Sequence, residues 1–341
     1  MRIQVNARNR GFEFDAGPGE RVLYAGLRAG IDLPYECATG TCGTCKAKLV
    51  SGRVADRWPG APGKKYVKPQ AGEFLMCQCA AEEALTLEVS KFVYAVEPGA
   101  CVPQTCAGTV RGVRPLTHDV MGFALELERP RDFDAGQFTL LAADGVEGYR
   151  AYSMCNYARG GRTLDFVVKR KPDGGFSDWL FGANREGARL QAFGPLGKAT
   201  FDPALGKNLL CIAGGSGIAG MMSILARADA ADYFSRHHGH VFFGIRTMKD
   251  AFFFNELSKT KAAVTVALSD EDVSEKAAQA WPSLKFEKGL VHEVAKRAMA
   301  GKYQNVRAYV AGPPPAVDAA IRVLLLDAKL TTDNIRYDKF S

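Results

Sequence analysis

Three cysteines in one short stretch, Cys37, Cys42 and Cys45, constrain this chain more than anything else in it. Four residues separate the first two and two separate the next, and Cys77 follows thirty-two positions after Cys45. Thiolates this close must curl around one centre. A loop curled so tightly needs residues that accept positive φ and a close backbone, and Gly40 and Gly43 lie within it. Backbone N–H groups of such a loop point at the sulfurs and lower the cost of their negative charge. Zinc sites are usually built from two C-x2–4-C pairs, whereas the second half here is Cys77-Gln78-Cys79, with one residue between. The spacing specifies a two-iron, two-sulfur cluster. Its fourth ligand stays open between Cys77 and Cys79, which point the same way along a strand.

The 341 residues leave room for two or three domains. With 47% hydrophobic and 24% charged residues the chain can bury cores, which excludes a largely disordered protein. Its formal charge of +7 includes no Lys/Arg block, so nucleic acid is not an expected partner. The first residues, Met1-Arg2-Ile3-Gln4-Val5-Asn6, do not read as a signal peptide. The longest uncharged apolar run, Leu209 to Ala226, is broken by Gly214, Gly215, Gly217 and Gly220 and reads as strand, turn and helix, not as a membrane span. Nine cysteines without a secretory signal point to the reducing cytoplasm, where clustered thiols bind metal more often than they pair. Cys101, Cys106, Cys155 and Cys211 stand alone and read as packed thiols.

The pattern changes along the chain. Residues 1–95 open with alternating segments at Arg2–Asn6 and Gly11–Asp15, continue with a helical period over Val22–Ala29 before Gly30, and end with a strand at Leu85–Val89. This is a small α+β unit. Residues 96–105 carry Pro and Gly and read as a linker. In 106–202 the strands Val120–Leu127, Gln137–Ala142, Leu164–Arg170 and Arg189–Phe193, with one helix from Ser177, describe a small antiparallel barrel. From 203 to 341 apolar strands at Asn208–Ala213, His240–Phe243, Ala263–Leu268 and Ala308–Ala311 alternate with helical periods at Gly220–Ala228 and Ala316–Ala328, which argues for a parallel sheet covered on both faces.

Two further constellations carry chemistry. Arg150-Ala151-Tyr152-Ser153 is followed about 20 residues later by Lys171-Pro172-Asp173-Gly174-Gly175-Phe176-Ser177, a glycine-led helix start with Ser177 as its N-cap. Free N–H groups and the helix dipole make such a start a phosphate site. In the last region Gly214-Gly215-Ser216-Gly217 follows an apolar strand, the arrangement that lets a dinucleotide pyrophosphate approach the backbone. Ala311-Gly312-Pro313-Pro314 closes a later strand, and Gly244-Ile245-Arg246 precedes Asp250. Asp250 reads equally as a helix cap. None of the five His residues sits in a catalytic pattern.

Together these motifs resemble the ferredoxin–NADP reductase superfamily, and over essentially the whole chain the NADH-dependent reductase components of multicomponent oxygenases. Pro34 to Cys45 and Phe74-Leu75-Met76-Cys77-Gln78 look like the plant-type ferredoxin domain of those reductases. Cys42-Gly43-Thr44-Cys45-Lys46, Ser51-Gly52-Arg53-Val54 and Gly175 to Phe181 look most like members serving toluene and xylene monooxygenases, with benzoate dioxygenase reductases also similar. The resemblance implies a β-grasp ferredoxin domain, an antiparallel flavin barrel and an α/β nicotinamide nucleotide domain. It implies Cys37, Cys42, Cys45 and Cys77 as cluster ligands. It also implies Arg150, Gly174, Gly175 and Ser177 at the flavin pyrophosphate, Tyr152 along the isoalloxazine and Ser153 at N5. Gly214, Gly215, Ser216, Gly217, Arg246, Asp250, Gly312 and Pro313 would hold the nicotinamide nucleotide. Phe340 would shield the nicotinamide site, and a core-packed ring is the equal alternative.

FAD is expected over FMN because the ferredoxin domain comes first, and NADH over NADPH. The implied partner is a terminal oxygenase, Rieske or diiron, met transiently, and the implied location is cytoplasmic. A haem oxygenase, a deoxysugar dehydratase or a non-catalytic redox sensor are the other readings. Three departures stand out: Asp173 replaces a glycine, Gly220 a proline, and Ala311 the cysteine usual before Gly-Pro-Pro. Residues 1–95 carry 13 Lys/Arg against 10 Asp/Glu, and Lys64, Lys65 and Lys68 suggest a basic docking face.

Overall fold

The computed structural model describes residues 1–340 and contains three large sheets and one two-stranded sheet. The first is built from β1 (Arg2–Ala7), β2 (Gly11–Asp15), β3 (Lys46–Ser51), β5 (Glu73–Leu75) and β7 (Leu85–Val89), with β4 (Val54–Asp56) and β6 (Cys79–Ala81) as a separate pair. Its order is β2-β1-β7-β3-β5. β1 and β7 pair in parallel, and β1–β2, β3–β7 and β3–β5 antiparallel. The alternation of β1 buries Ile3 and Val5 against α1 (Val22–Arg28), all but one of whose residues are buried. Gly30, at φ 74°, turns the chain out of that helix.

The second sheet is wholly antiparallel, in the order β11-β10-β13-β8-β9-β12. Its strands are β8 (Gln104–Pro115), β9 (Val120–Arg131), β10 (Phe138–Ala143), β11 (Arg150–Ser153), β12 (Gly161–Lys169) and β13 (Arg189–Leu196), with α2 (Gly175–Gly182) at one end. β8 starts inside the stretch that the sequence presents as a linker, and no sequence pattern marks it as a strand. Its burial follows no clear alternation, so the sequence carries no period-2 signal there.

The third sheet is wholly parallel, in the order β17-β16-β15-β14-β18-β19. Strands β14 (Asn208–Gly214), β15 (Gly239–Ile245), β16 (Ala263–Leu268), β17 (Leu284–Lys288), β18 (Val306–Gly312) and β19 (Ile335–Lys339) are joined through α3 (Ile218–Ala230), α4 (Phe254–Leu257), α5 (Glu275–Ala280), α6 (Val291–Ala298) and α7 (Pro314–Arg322). A π turn over Val323–Asp327 completes the helical run that begins at α7. β14 is buried from Leu209 to Ala213 and lies where the strand order reverses, so the carboxyl ends of β14 and β18 form the crevice at which such sheets bind ligands. Among the described residues no helix is long and apolar enough to cross a membrane.

The three units do not stand apart. The core of the first unit continues into the barrel through Phe138, Leu140, Phe193 and Leu196. Tyr24 of α1 stacks on Phe193 of β13 with ring centroids 4.7 Å apart and meets Tyr149 edge-on at 5.7 Å. The Gly197 N–H donates to Tyr35 Oη at 3.0 Å, and Lys198 pairs with Asp32 at 2.7 Å. Between barrel and parallel sheet, the buried Ser223 Oγ of α3 accepts from the Gly136 N–H and donates to the Gly220 carbonyl, each at 2.8 Å.

β19 brings Asp338 toward Glu36 of the first unit, and burial, with that second carboxylate, pushes Asp338 up to about 7. A native carboxyl that keeps its proton while the unfolded chain releases one near pH 4 favours the fold fully only below that pH, and the advantage is lost as pH rises toward 7. Asp338→Asn should therefore be more stable than the parent at pH 8.5, by on the order of 2 kcal/mol of unfolding free energy and with a correspondingly higher melting temperature, and the gap should shrink as pH falls to 5. Calorimetric scans at both pH values check this.

Candidate cofactor sites

The loop between α1 and β3 holds Cys37, Cys42 and Cys45, and Cys77 lies in the turn from β5 to β6, where the Met76 N–H donates to the Cys45 carbonyl at 3.1 Å. Gly40 at φ 91° and Gly43 at φ 77° provide the left-handed backbone that the loop needs. N–H groups of Thr39 and Thr41 donate to Cys37 Sγ at 3.4 Å, and that of Thr44 to Cys42 Sγ at 3.5 Å. The neighbouring Cys42 thiol above all, with these backbone bonds, holds Cys37 well below the usual thiol range. The thiols associate two and two, Cys37 with Cys42 and Cys45 with Cys77. Among the described residues they do not gather within 4.8 Å of one another as ligands of a single ion would. Two pairs suit two irons, so the donor set fits a 2Fe-2S cluster.

Cys79, the other candidate for fourth ligand, is buried in β6, and desolvation pushes its thiol up to about 11. Gln78 was not singled out in the sequence. It is 2% exposed, and its Nε2 donates to Cys77 Sγ at 3.5 Å.

In the barrel, Arg150 and Ser153 are the first and last residues of β11, beside β10 in the register Leu141↔Arg150 and Phe138↔Ser153. A side-chain carbon placed on Gly175 would lie 4.0 Å from Arg150 Nη2, so the guanidinium stands beside the N-terminus of α2. Its Nη1 donates to the Glu147 and Tyr149 carbonyls at 3.2 and 3.0 Å. Among the described residues no carboxylate pairs with it. A guanidinium aimed by backbone carbonyls at free helix N–H groups is a site for a phosphate, and the fit to the flavin diphosphate is good. Tyr152 packs on Phe176 at 5.2 Å, and burial pushes its hydroxyl up.

Ser177 is not the N-cap. Gly174 holds that position, and Ser177, third in the helix, bonds back to Lys171 and Gly174. A glycine N-cap exposes the backbone, and the serine braces the loop behind it. Asp173 adopts φ 56°, which Asp tolerates in place of glycine, and it is exposed to solvent.

At the parallel sheet, Gly214 ends β14, Gly215, Ser216 and Gly217 form a 3-10 turn, and α3 follows. Gly217 is required by approach: a Cβ there would lie 2.3 Å from the Ala311 carbonyl oxygen. That contact joins the turn to Gly312 and Pro313 at the end of β18. The Phe340 N–H donates to the Gly312 carbonyl at 3.0 Å, and the half-buried Phe340 ring packs on the parallel-sheet core. Arg246 is exposed at the end of β15. Asp250 is 8% exposed and closes a capping box with Thr247, while its Oδ1 is buried without a partner near His118 and Asp119 of the barrel. Gly220, where the resembled family usually has proline, faces Ser153: a Cβ on it would be 3.6 Å from Ser153 Oγ. Thus the flavin and nucleotide constellations meet at one seam.

The comparisons with known proteins agree with this layout. The family described as 2Fe-2S iron-sulfur cluster binding domain matches residues 5–82, oxidoreductase FAD-binding domain 108–201, and oxidoreductase NAD-binding domain 211–322. A ferredoxin–NAD(P)(+) reductase of Metapseudomonas resinovorans is 36% identical over 95% of each chain. The xylene/toluene monooxygenase electron transfer component of Pseudomonas putida is 31% identical over 93% of this chain and 87% of its own. Among solved structures, a ferredoxin reductase in carbazole 1,9a-dioxygenase superposes with a TM-score of 0.84 at 34% identity, covering 100% of this chain and 99% of that one.

Cys77→Ser should lose the visible absorption and low-temperature EPR signal of the cluster, whereas Cys79→Ser should keep both. Gly217→Ala should weaken pyridine nucleotide binding by at least about tenfold, measured by calorimetry, because the added methyl forces the turn off β18.

Proposed function

This chain belongs to the ferredoxin–NAD(P)(+) reductases, the electron-transfer components of oxygenase systems, and from that premise we propose the route its electrons take and the residues that keep it. The chain is an oxidoreductase with 2Fe-2S, FAD-binding and NAD-binding domains. When bound, the flavin converts a two-electron donation from NADH into single electrons, and the cluster carries them outward. Arg150 and the N-terminus of α2 hold the flavin diphosphate. Tyr152 lies along the ring system, and Ser153, 6% exposed, fixes the edge of the flavin facing the nucleotide. The turn Gly214–Gly217 with Gly312 and Pro313 seats the dinucleotide, and Phe340, tethered to Gly312, covers that seat. No side chain has to act as acid or base; the residues position and exclude water.

One observation carries this reading: Gly220 and Ser153 face each other across the seam, so a nucleotide on one side and a flavin on the other are brought face to face. The Tyr24–Phe193 stack then fastens the cluster unit to the same barrel.

The acceptor is a terminal oxygenase, Rieske or diiron, of an aromatic-hydrocarbon pathway, a reading supported by the relatives of carbazole and xylene/toluene systems. Nine cysteines, none of them in a disulfide, suit a reducing cytoplasm. The basic docking face is narrower than the sequence suggests, because Lys64 pairs with Asp56 and Lys65 lies over the Tyr66 ring. A haem acceptor is the second reading, supported by a cytochrome P450 reductase of Amycolatopsis that is 27% identical over 99% of this chain.

Purified protein should be yellow-brown and reduce ferricyanide or cytochrome c faster with NADH than with NADPH. Ser153→Ala should slow flavin reduction in stopped flow roughly tenfold to a hundredfold with little change in the cluster spectrum. Equal rates in variant and parent would remove Ser153 from the reaction.

A further inference from the structure

Between the cluster unit and the barrel lies a cleft of about 100 Å³ lined by Arg21, Thr39, Arg57, Trp58 and Gln78 of the cluster unit and by Glu147 to Arg150 of the barrel. Three guanidiniums border it. Among the described residues, no carboxylate forms an ion pair with Arg21, Arg57 or Arg150. Glu147 is the single acidic residue of the lining, and it is exposed. Cationic groups left without counter-charges repel one another in a shared cleft unless an anion joins them.

The guanidiniums are also held in place. Arg21 donates to Tyr24 Oη at 3.0 Å and lies over both the Tyr24 and Tyr149 rings, at 5.4 and 5.6 Å. Those two rings belong to the junction that docks the units. Arg150 is tethered by two carbonyls and stands both beside the α2 N-terminus and in the wall of the cleft. It can therefore serve one phosphate at the helix while a second phosphate lies toward Arg21 and Arg57.

We propose that Arg21 and Arg57, from the cluster unit, complete an anion cradle with Arg150 and grip the adenylyl-side phosphate of FAD across the domain boundary. This rests on the flavin-site reading of Arg150 given above. The dinucleotide then clamps the two units together, and Gln78, the residue that donates to cluster ligand Cys77, lines the same cleft. The same arrangement distinguishes FAD from FMN, which lacks the second phosphate.

The test uses full-length, cluster-loaded protein from which flavin has been removed. FAD and FMN are titrated separately and followed by fluorescence quenching, for the parent, Arg57→Gln, Arg21→Gln/Arg57→Gln and Arg150→Gln. Arg57 is exposed, so its single variant should fold, and the cluster spectrum reports intact structure in each. The expected result is FAD binding weakened roughly tenfold or more in the double variant and by less in Arg57→Gln. FMN binding should stay within about twofold, and NADH affinity should be unchanged. The proposal is overturned if the double variant binds FAD like the parent while Arg150→Gln does not, an outcome that leaves the flavin site standing. It is equally overturned if the double variant loses NADH affinity, or keeps its flavin and slows only transfer to an acidic acceptor protein. If Arg150→Gln also binds FAD normally, the flavin-site reading itself has failed.

Discussion

The molecule depends on a hydrophobic core that ignores a domain boundary. The helix of the cluster unit does not end its packing at its own sheet. Tyr24 lies on Phe193, and Phe138, Leu140 and Leu196 of the barrel join the same buried cluster as Ile3, Val5 and Leu87. Interfaces between domains of one chain are usually smaller and more polar and allow relative motion. Here an aromatic stack and a continuous apolar core fix the cluster loop against the barrel, and the Tyr35 and Lys198 contacts set its rotation. An electron carrier that must receive from one site benefits from a fixed separation, and the shared core, the hydrogen bond and the ion pair all hold that separation.

The second seam is built differently. Helix α3 meets the barrel through Ser223, whose hydroxyl both accepts from Gly136 and donates to its own helix. Arg227 adds to this from the same helix: its side chain donates to the Phe201 carbonyl at 2.5 Å and lies over Tyr157. Buried polar contacts specify geometry because each must be satisfied in one arrangement only. Gly220, where the resembled family usually has proline, lies against Ser153, so this departure falls where the two candidate binding surfaces touch.

Much of this was legible from residue order. The cysteine spacing, the glycine turn after an apolar strand and the change from antiparallel to parallel patterning are local signals, and each appears in the fold where its chemistry requires it. What was hidden is non-local. Strands β17 and β19 and helix α6 lie outside the elements expected from the sequence. β17 and β19 are five residues long and lie at the sheet edges, where alternation is weak. The role of Ser177 was misread because a serine at a helix start has the same sequence signature whether it caps or braces. Arg21 and Arg57 carry no motif at all. They become legible only when α1 and the segment after β4 are folded beside Arg150, 93 and more positions further along the chain.

The parallel sheet has a temporal consequence. β14, apolar from Leu209 to Ala213, pairs on one side with β15 and on the other with β18, in the register Asn208↔Val306. At roughly 5–20 residues per second of synthesis, about five to twenty seconds separate the emergence of those partners from the ribosome. For that interval one edge of this buried central strand lacks its neighbour, and the glycine turn has nothing to close against. Nascent chains stalled in that window are the species on which a holding chaperone would act, and sequence variants that slow elongation there would cost yield without altering the finished protein.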